Sequence, residues 1–319
     1  LITSGRYEIY NTGHPQEDYF NMYRIDDKSD LKEAVLYVDY KTNIREHNMA
    51  AAGREAGCGF SKSFVESFLC SDGLPISLSN KYLGDETMRK ETANRDPRLK
   101  QLILTNDFPT NVTDDLKDST FVVNEDEFIT QHCFTGYRPI KGFNPIYSQA
   151  LYMKSSFDGI AYRYAETLLI NAEAKAELNT ITNADLDRTV NQLRDRVGMP
   201  HLTVNVGFTD PKWPDWGYSL SPVLQEIRRE RCIELAGEGF RFNDLKRWKA
   251  GKLLNNVLTY VGKRKPDGNL AIVYPNYTNP DLSYQAGKSR TWEDKMYLYP
   301  IPTGELQRNP QLLPQNPGW

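Results

Sequence analysis

The sequence predicts a mainly α fold with long irregular loops and a few short strands, its helices arranged as tetratricopeptide-like hairpins. Three observations carry that prediction. From residue 160 onward, apolar residues recur at the helical period. Glycine and proline fall where those runs end. Before residue 160, apolar runs are short and separated by glycine, proline and asparagine, the composition of connecting segments.

Residues 34–40 (Ala-Val-Leu-Tyr-Val-Asp-Tyr) are rich in β-branched and aromatic residues and predict a strand. Residues 43–62, with Gly53, Gly57 and Gly59, predict irregular chain. Phe64, Val65, Phe68 and Leu69 have the spacing of a short helix, and Asp72-Gly73 with Pro75 marks a turn after it. A helix is expected near residues 86–94. Asp96-Pro97 ends it, because a residue before proline is pushed out of the α region. Leu99 to Leu104 reads as a strand, and residues 105–150, with Pro109, Gly136, Pro139, Gly142 and Pro145, as loops with short strands.

Ile160, Tyr164, Leu168, Ala172 and Ala176 fall on one helical face. Thr182 is a good N-cap, with Asp185 three residues on, close to a capping box. Leu186, Val190, Leu193 and Val197 continue as a second stripe, stopped by Gly198 and Pro200. A loop with Trp213, Pro214, Trp216 and Gly217 follows. Ser221-Pro222 then opens a third helix, lined by Leu224, Ile227 and Leu235 and ended by Gly237 and Gly239. A fourth runs through Phe242, Leu245 and Trp248. Tyr297, Tyr299 and Ile301 predict a short final strand. The two hairpins stand about 60 residues apart rather than 34, so no strict repeat is visible.

Composition excludes several function classes. Net charge is −3 and the isoelectric point about 5.9, which argues against a general nucleic-acid footprint. No run of 18 apolar residues exists to span a bilayer as a helix. Cys58, Cys70, Cys133 and Cys232 form no CxxC pair and have no zinc-ligand spacing with His14, His47, His132 or His201. They read as small hydrophobes or surface thiols. Asp26-Asp27 and Asp114-Asp115 match no EF-hand, so no metal ligand is assigned. No GxSxG, HExxH, P-loop or dinucleotide-binding signature appears, and no cofactor is implied. The 19 Tyr and 5 Trp allow two readings, loop anchors or stacking platforms for sugars.

Several ordered motifs resemble those of the SusD/RagB family. Arg163-Tyr164-Ala165-Glu166 with Leu168-Leu169 and Ala172-Glu173-Ala174 looks like its "RYAE-x-LL-x-x-AEA" helix. Asn191 to Pro200 resembles "LN-x-IR-x-RAG-x-P", and Glu230 to Trp248 resembles "ERRIELAFEGHRFFDLRRW". Tyr299-Pro300-Ile301-Pro302, Asn309-Pro310 and Gln315-Asn316-Pro317-Gly318 resemble the family's C-terminal "PIP … NP-x-L-x-QNPGY". Arg95-Asp96-Pro97-Arg98 and Asp72-Gly73 with Pro75 match two of its turns. Val197, Gly237, Asn243 and Trp319 depart from the pattern without removing a chemical role.

The motifs also make physical sense as structure. Glu230, Arg231, Glu234, Glu238, Arg241, Asp244 and Arg247 are expected to pair across the two helices joined at Gly237–Gly239. Phe240, Phe242 and Trp248 would be buried at the same corner.

The resemblance implies a SusD-like fold and a non-catalytic, outward-facing outer-membrane lipoprotein. Such a protein captures glycans, or sometimes peptides, for a SusC-type TonB-dependent transporter. It also implies a lipidated, helical N-terminal part that this sequence does not include. Residues 1–159 would be the loop-rich, ligand-facing part of a C-terminal region, and 160–319 its helical hairpins and tail. Family sites upstream of the "DPR" turn leave Phe60 and Tyr82 as ligand candidates, and composition adds Phe108, Tyr137, Trp213 and Trp216. Rival readings are a peptide-capturing RagB-like binder, a docking scaffold, and a glycoside hydrolase. The last needs two carboxylates about 5–10 Å apart, and no spacing singles out such a pair.

Overall fold

The computed structural model describes residues 1–49, 59–108, 128–129, 133–272 and 291–319. In chain order these form α1 (Asp18–Asn21), β1 (Ala34–Val38), α2 (Lys62–Ser67), α3 (Met88–Thr92), α4 (Arg98–Leu102), α5 (Tyr147–Ala150), β2 (Gly159–Arg163), α6 (Tyr164–Glu177), α7 (Asn183–Asp187), α8 (Val190–Arg196), α9 (Pro222–Glu234), α10 (Arg241–Arg247), β3 (Val261–Arg264), β4 (Leu270–Ile272) and α11 (Thr303–Arg308). Among the described residues no helix is long and apolar enough to cross a membrane. Gly53, Gly57, Cys58, Pro109, Asp114, Asp115 and His132 lie outside the described residues.

The expected mainly α architecture with few strands is present, and the helical stripes build it. On α6, Tyr164, Ala165, Leu168, Leu169, Ala172 and Ala176 are buried. They meet Leu186, Val190 and Leu193 of α7 and α8 and Val223, Leu224 and Ile227 of α9 in one apolar cluster. Thr182 caps α7 in a full capping box: its hydroxyl accepts from Asp185 N at 3.2 Å, and the Asp185 carboxylate accepts from Thr182 N at 3.1 Å. The second stripe is not one continuous helix. The Thr189 hydroxyl donates back to Asp185 O at 2.6 Å, and the helix breaks there before α8 resumes. Gly198 then ends α8 at φ +65°, a conformation that favours glycine.

Three local expectations are corrected. Ile160 is not helical. It lies on β2, which pairs antiparallel with β1 in the register Ala34↔Arg163 and Val38↔Gly159, and the helix starts only at Tyr164. Leu99–Leu104 is not a strand. Asp96 Oδ1 accepts from Arg98 N at 2.9 Å, Pro97 sets an α conformation, and the chain turns into α4, leaving only an Ile103↔Pro139 bridge. Tyr297–Ile301 forms no strand either, since residues 294–297 wind into a 3-10 turn. The described part of 105–150 carries α5 and no named strand.

A second cluster joins the chain's two halves: Tyr19, Phe68, Leu99, Leu102, Tyr137 and Ile140 pack with Val197 and Ile233. Through the seam runs a buried ionic network, and it corrects the expected corner. Among the described residues only Arg231–Asp244 (2.9 Å) bridges α9 and α10. Glu230 pairs with Arg98 (2.5 Å) and Arg194 (3.0 Å). Glu234 takes Arg98 (2.9 Å), Arg163 (2.5 Å) and Arg196 (2.6 Å). Glu238 takes Lys141 (2.6 Å) and Arg163 (2.7 Å), and Glu33 takes Arg163 and Arg196. Arg247 pairs with Asp244 on its own helix and with Glu173 on α6, while Arg241 is exposed and makes no ion pair among the described residues. The reason is geometric. Glu230 and Glu234 stand one turn apart on α9, so their shared face looks toward α4, α8 and β2 rather than toward α10, and Glu238 follows in the turn beyond the helix end. Of the aromatics expected at that corner, Trp248 is buried, whereas Phe242 is 44% exposed.

Candidate functional site

A cleft of about 1080 Å³ opens between α2, the 210–216 loop, α9, α10 and the 252–259 segment. Each wall follows from local sequence. Ser61 caps α2 by accepting from Phe64 N at 3.4 Å, which sets Phe60 and Phe64 one turn apart. Their rings stack at 4.5 Å and 28°, and Phe68 closes behind Phe64 edge-on at 5.1 Å.

The opposite wall is the tryptophan loop. Buried Asp210 pins it: one oxygen accepts from Lys212 N (2.8 Å) and Ser77 Oγ (2.8 Å), the other from Arg229 on α9 (2.6 Å). Trp213 is half-buried, donates through Nε1 to Glu226 at 2.7 Å, and leans on Phe208 at 6.0 Å. Trp216 donates to Gln225 at 2.6 Å and meets Trp248 edge-on at 5.4 Å. The Arg228 guanidinium lies over both Trp216 and Trp248, 4.8 and 4.5 Å from the ring centres. Phe242, Arg241 and Lys252 complete the mouth.

The structure thus brings together three of the six sequence candidates: Phe60, Trp213 and Trp216. Trp216 is only 6% exposed, so its ring packs more than it presents. The other three sit elsewhere. Tyr82 lies under the Arg95 guanidinium at 5.3 Å, and burial pushes its phenol well up. Phe108 packs edge-on against Phe20 at 5.3 Å. Tyr137 is fully buried, and its hydroxyl donates to Glu91 at 2.8 Å, so no ring face is open to a ligand. That corrects its reading as a stacking platform: an apolar ring in loop-rich sequence is here core, held by an internal carboxylate. Glu91 also meets Lys62 (2.6 Å), which reaches Asp85 (2.8 Å). Burial alone would raise the Asp85 carboxyl, but hydrogen bonds from Arg264 and Lys62 hold it at about 2.

Phe64, Phe242, Arg241 and Lys252 line the cleft without having been singled out as ligand residues. The four-residue step from Phe60 to Phe64 was a signal for the first. Nothing local points to the others.

Chemically, the cleft offers ring faces beside hydrogen-bonding groups. Three of its four carboxylates are already engaged by cations, Glu66 with Lys212 (3.3 Å), Asp210 with Arg229, and Asp244 with Arg231 and Arg247, while Asp215 is exposed and makes no ion pair among the described residues.

Helices packed around one apolar cluster, a buried Arg/Glu network at the seam and long loops define a helix-rich protein with a cleft walled by helices and loops. The chain belongs to the SusD family, whose model matches residues 10–319. It is 33% identical over 166 residues to SusD-like protein P2 of Formosa agariphila, covering 52% of this chain and 27% of that protein. A solved SusD-like protein from Bacteroides fragilis is 26% identical with a TM-score of 0.65, covering 98% of this chain and 59% of that one. A SusD-like carbohydrate binding protein, also from Bacteroides fragilis, shares the fold at 24% identity and a TM-score of 0.59, covering 89% and 55% of the two chains. The chain therefore spans well under two thirds of the length of each of these relatives.

Proposed function

We propose that this chain binds glycans without cleaving them, as part of an outward-facing outer-membrane lipoprotein that delivers them to a SusC-type TonB-dependent transporter. One observation carries the reading: Phe60, Phe64 and Trp213 converge on one cleft with Arg229 and Asn256 beside them. Sugar rings present apolar C–H faces that stack on aromatics, and hydroxyls that need polar partners. Family membership supports it, as does the description of a protein sharing the fold as carbohydrate binding. The non-catalytic part is supported by the lining carboxylates Glu66, Asp210 and Asp244, which are engaged by cations within the wall rather than free to exchange a proton with a ligand. In this reading residues 1–159 supply the phenylalanine wall. Residues 160–319 supply the tryptophan wall and the helical face that docks the transporter.

The test is affinity gel electrophoresis of the purified chain against a panel of polysaccharides. Retardation in at least one gel is expected. Failure on every glycan together with capture of peptides would overturn the glycan reading, and release of reducing sugar would overturn the non-catalytic one.

A further inference from the structure

We propose that the ligand of this cleft is anionic, an oligosaccharide bearing carboxylate or sulfate groups; the inference rests on the glycan-binding reading above. The chain as a whole carries a net charge of −3, which opposes such a ligand at long range. The cleft runs the other way. Lys212, Arg228, Arg229, Arg231, Arg241 and Lys252 line it against Glu66, Asp210, Asp215 and Asp244.

Pairing within the wall leaves cations over. Lys212 is matched by Glu66, Arg229 by Asp210, and Arg228 by Glu177 from outside the cleft. Arg241 and Lys252 stand exposed at the mouth and make no ion pair among the described residues, against a single exposed and unpaired carboxylate, Asp215.

Deeper in, Arg231 is only 5% exposed. Its Nε donates to Asp244 at 2.9 Å, but Asp244 also takes Arg247 at 2.9 Å. The Nη1 of Arg231 is buried and has no hydrogen-bond partner. A buried donor left unmade is costly, and a guanidinium edge matches the paired oxygens of a carboxylate or sulfate better than a single hydroxyl. Arg231 thus supplies an unpartnered donor in the cleft wall, Arg241 and Lys252 supply more unpaired positive charge than Asp215 offsets, and Phe60 and Trp213 supply stacking faces. A neutral glycan would leave the unpaired charge unused.

Matched probes separate the possibilities. Polygalacturonate, alginate and chondroitin sulfate are set in affinity gels beside their carboxyl-reduced or desulfated forms and beside neutral glucans. The charged form of at least one probe should be retained, with affinity falling roughly tenfold or more when its charge is removed and falling again between 0.05 and 0.5 M salt, roughly as screening predicts. Polygalacturonate against chondroitin sulfate distinguishes carboxylate from sulfate. The Arg241→Gln/Lys252→Gln double variant alters only exposed residues and should weaken the charged probe roughly tenfold, with an unchanged circular dichroism spectrum. Arg231→Lys keeps the charge and removes the fork, and should weaken it too. Equal retention of charged and neutral forms, or a double variant that binds the charged probe as the parent does, would overturn the inference. Retention of neutral glycans alone would overturn it while leaving the glycan reading standing, and retention of no glycan would overturn both.

Discussion

Replacing Glu234 by glutamine tests whether the buried ionic network holds the two halves of the chain together. Glu234 is fully buried and accepts from Arg98 at 2.9 Å, from Arg163 at 2.5 Å and from Arg196 at 2.6 and 2.7 Å. The connected groups comprise five cations (Arg98, Lys141, Arg163, Arg194 and Arg196) and five carboxylates (Glu33, Asp96, Glu230, Glu234 and Glu238). The set is neutral as it stands. Burial alone would raise the Glu234 carboxyl, but Arg196, Arg163 and Arg98 hold it well below the usual carboxylate range, so it is ionised at neutral pH. Glutamine keeps the volume, removes the charge, and turns an N–H₂ toward guanidinium N–H groups. Breaking a buried pair by removing one partner costs about 3–5 kcal/mol. A domain stability of about 5–15 kcal/mol would lose about a fifth or more. The assay is urea unfolding followed by far-ultraviolet circular dichroism, with Glu305→Gln as control. Glu305 meets Arg308 at 3.0 Å on the exposed surface, where a pair is worth about 0–1 kcal/mol. A loss below about 1 kcal/mol for Glu234→Gln, indistinguishable from the control, would refute the reasoning.

Three further outcomes follow from the same structure. Although burial raises it, Arg163 and Lys141 hold the Glu238 carboxyl at about 2, below its value in an unfolded chain. Its contribution, about 3 kcal/mol at most, is therefore complete above pH 4.5 and lost as pH falls toward 2. Urea midpoints measured from pH 6 to pH 3 should drop, and a flat profile would contradict this. Gly262→Ala would drive a methyl into the backbone of Thr135, whose carbonyl accepts from Lys263 N at 2.8 Å, and should cost about 1–3 kcal/mol in thermal or urea unfolding. Tyr137→Phe removes the hydroxyl that donates to buried Glu91. It should lower stability by about 1–3 kcal/mol and leave glycan affinity unchanged, whereas lost affinity in a stable protein would return Tyr137 to the site.

What could be read from the sequence was local. The Thr182 capping box and the Gly198 stop involve residues within about a turn of each other, and they stand where the pattern put them; the longer Leu186–Val197 stripe is buried as expected but broken at Thr189. The misreadings share the opposite cause. Ile160 continues a helical stripe in sequence, but its partner, Tyr37 on β1, lies more than a hundred positions earlier. Glu230, Glu234 and Glu238 were matched with the arginines nearest in sequence. Their true partners, Arg98, Lys141, Arg163, Arg194 and Arg196, come from remote parts of the chain that only the fold brings near. The cleft was half legible: Phe60 and Trp213 announce themselves as aromatics in polar loops, while Arg241 and Lys252 are surface cations until the walls are assembled around them.

The proposed sugar site is the cleft between Phe60 and Trp213. Its most direct measurement is isothermal titration of the parent chain and of Trp213→Ala with oligosaccharides of whichever polysaccharide the gels retain. Trp213 is half-buried and its ring lies on the cleft wall, so the alanine variant should stay folded. Losing one stacking face predicts affinity weaker by about tenfold, the equivalent of about 1.4 kcal/mol. Equal affinity in the two proteins would place the ligand elsewhere and contradict the claim.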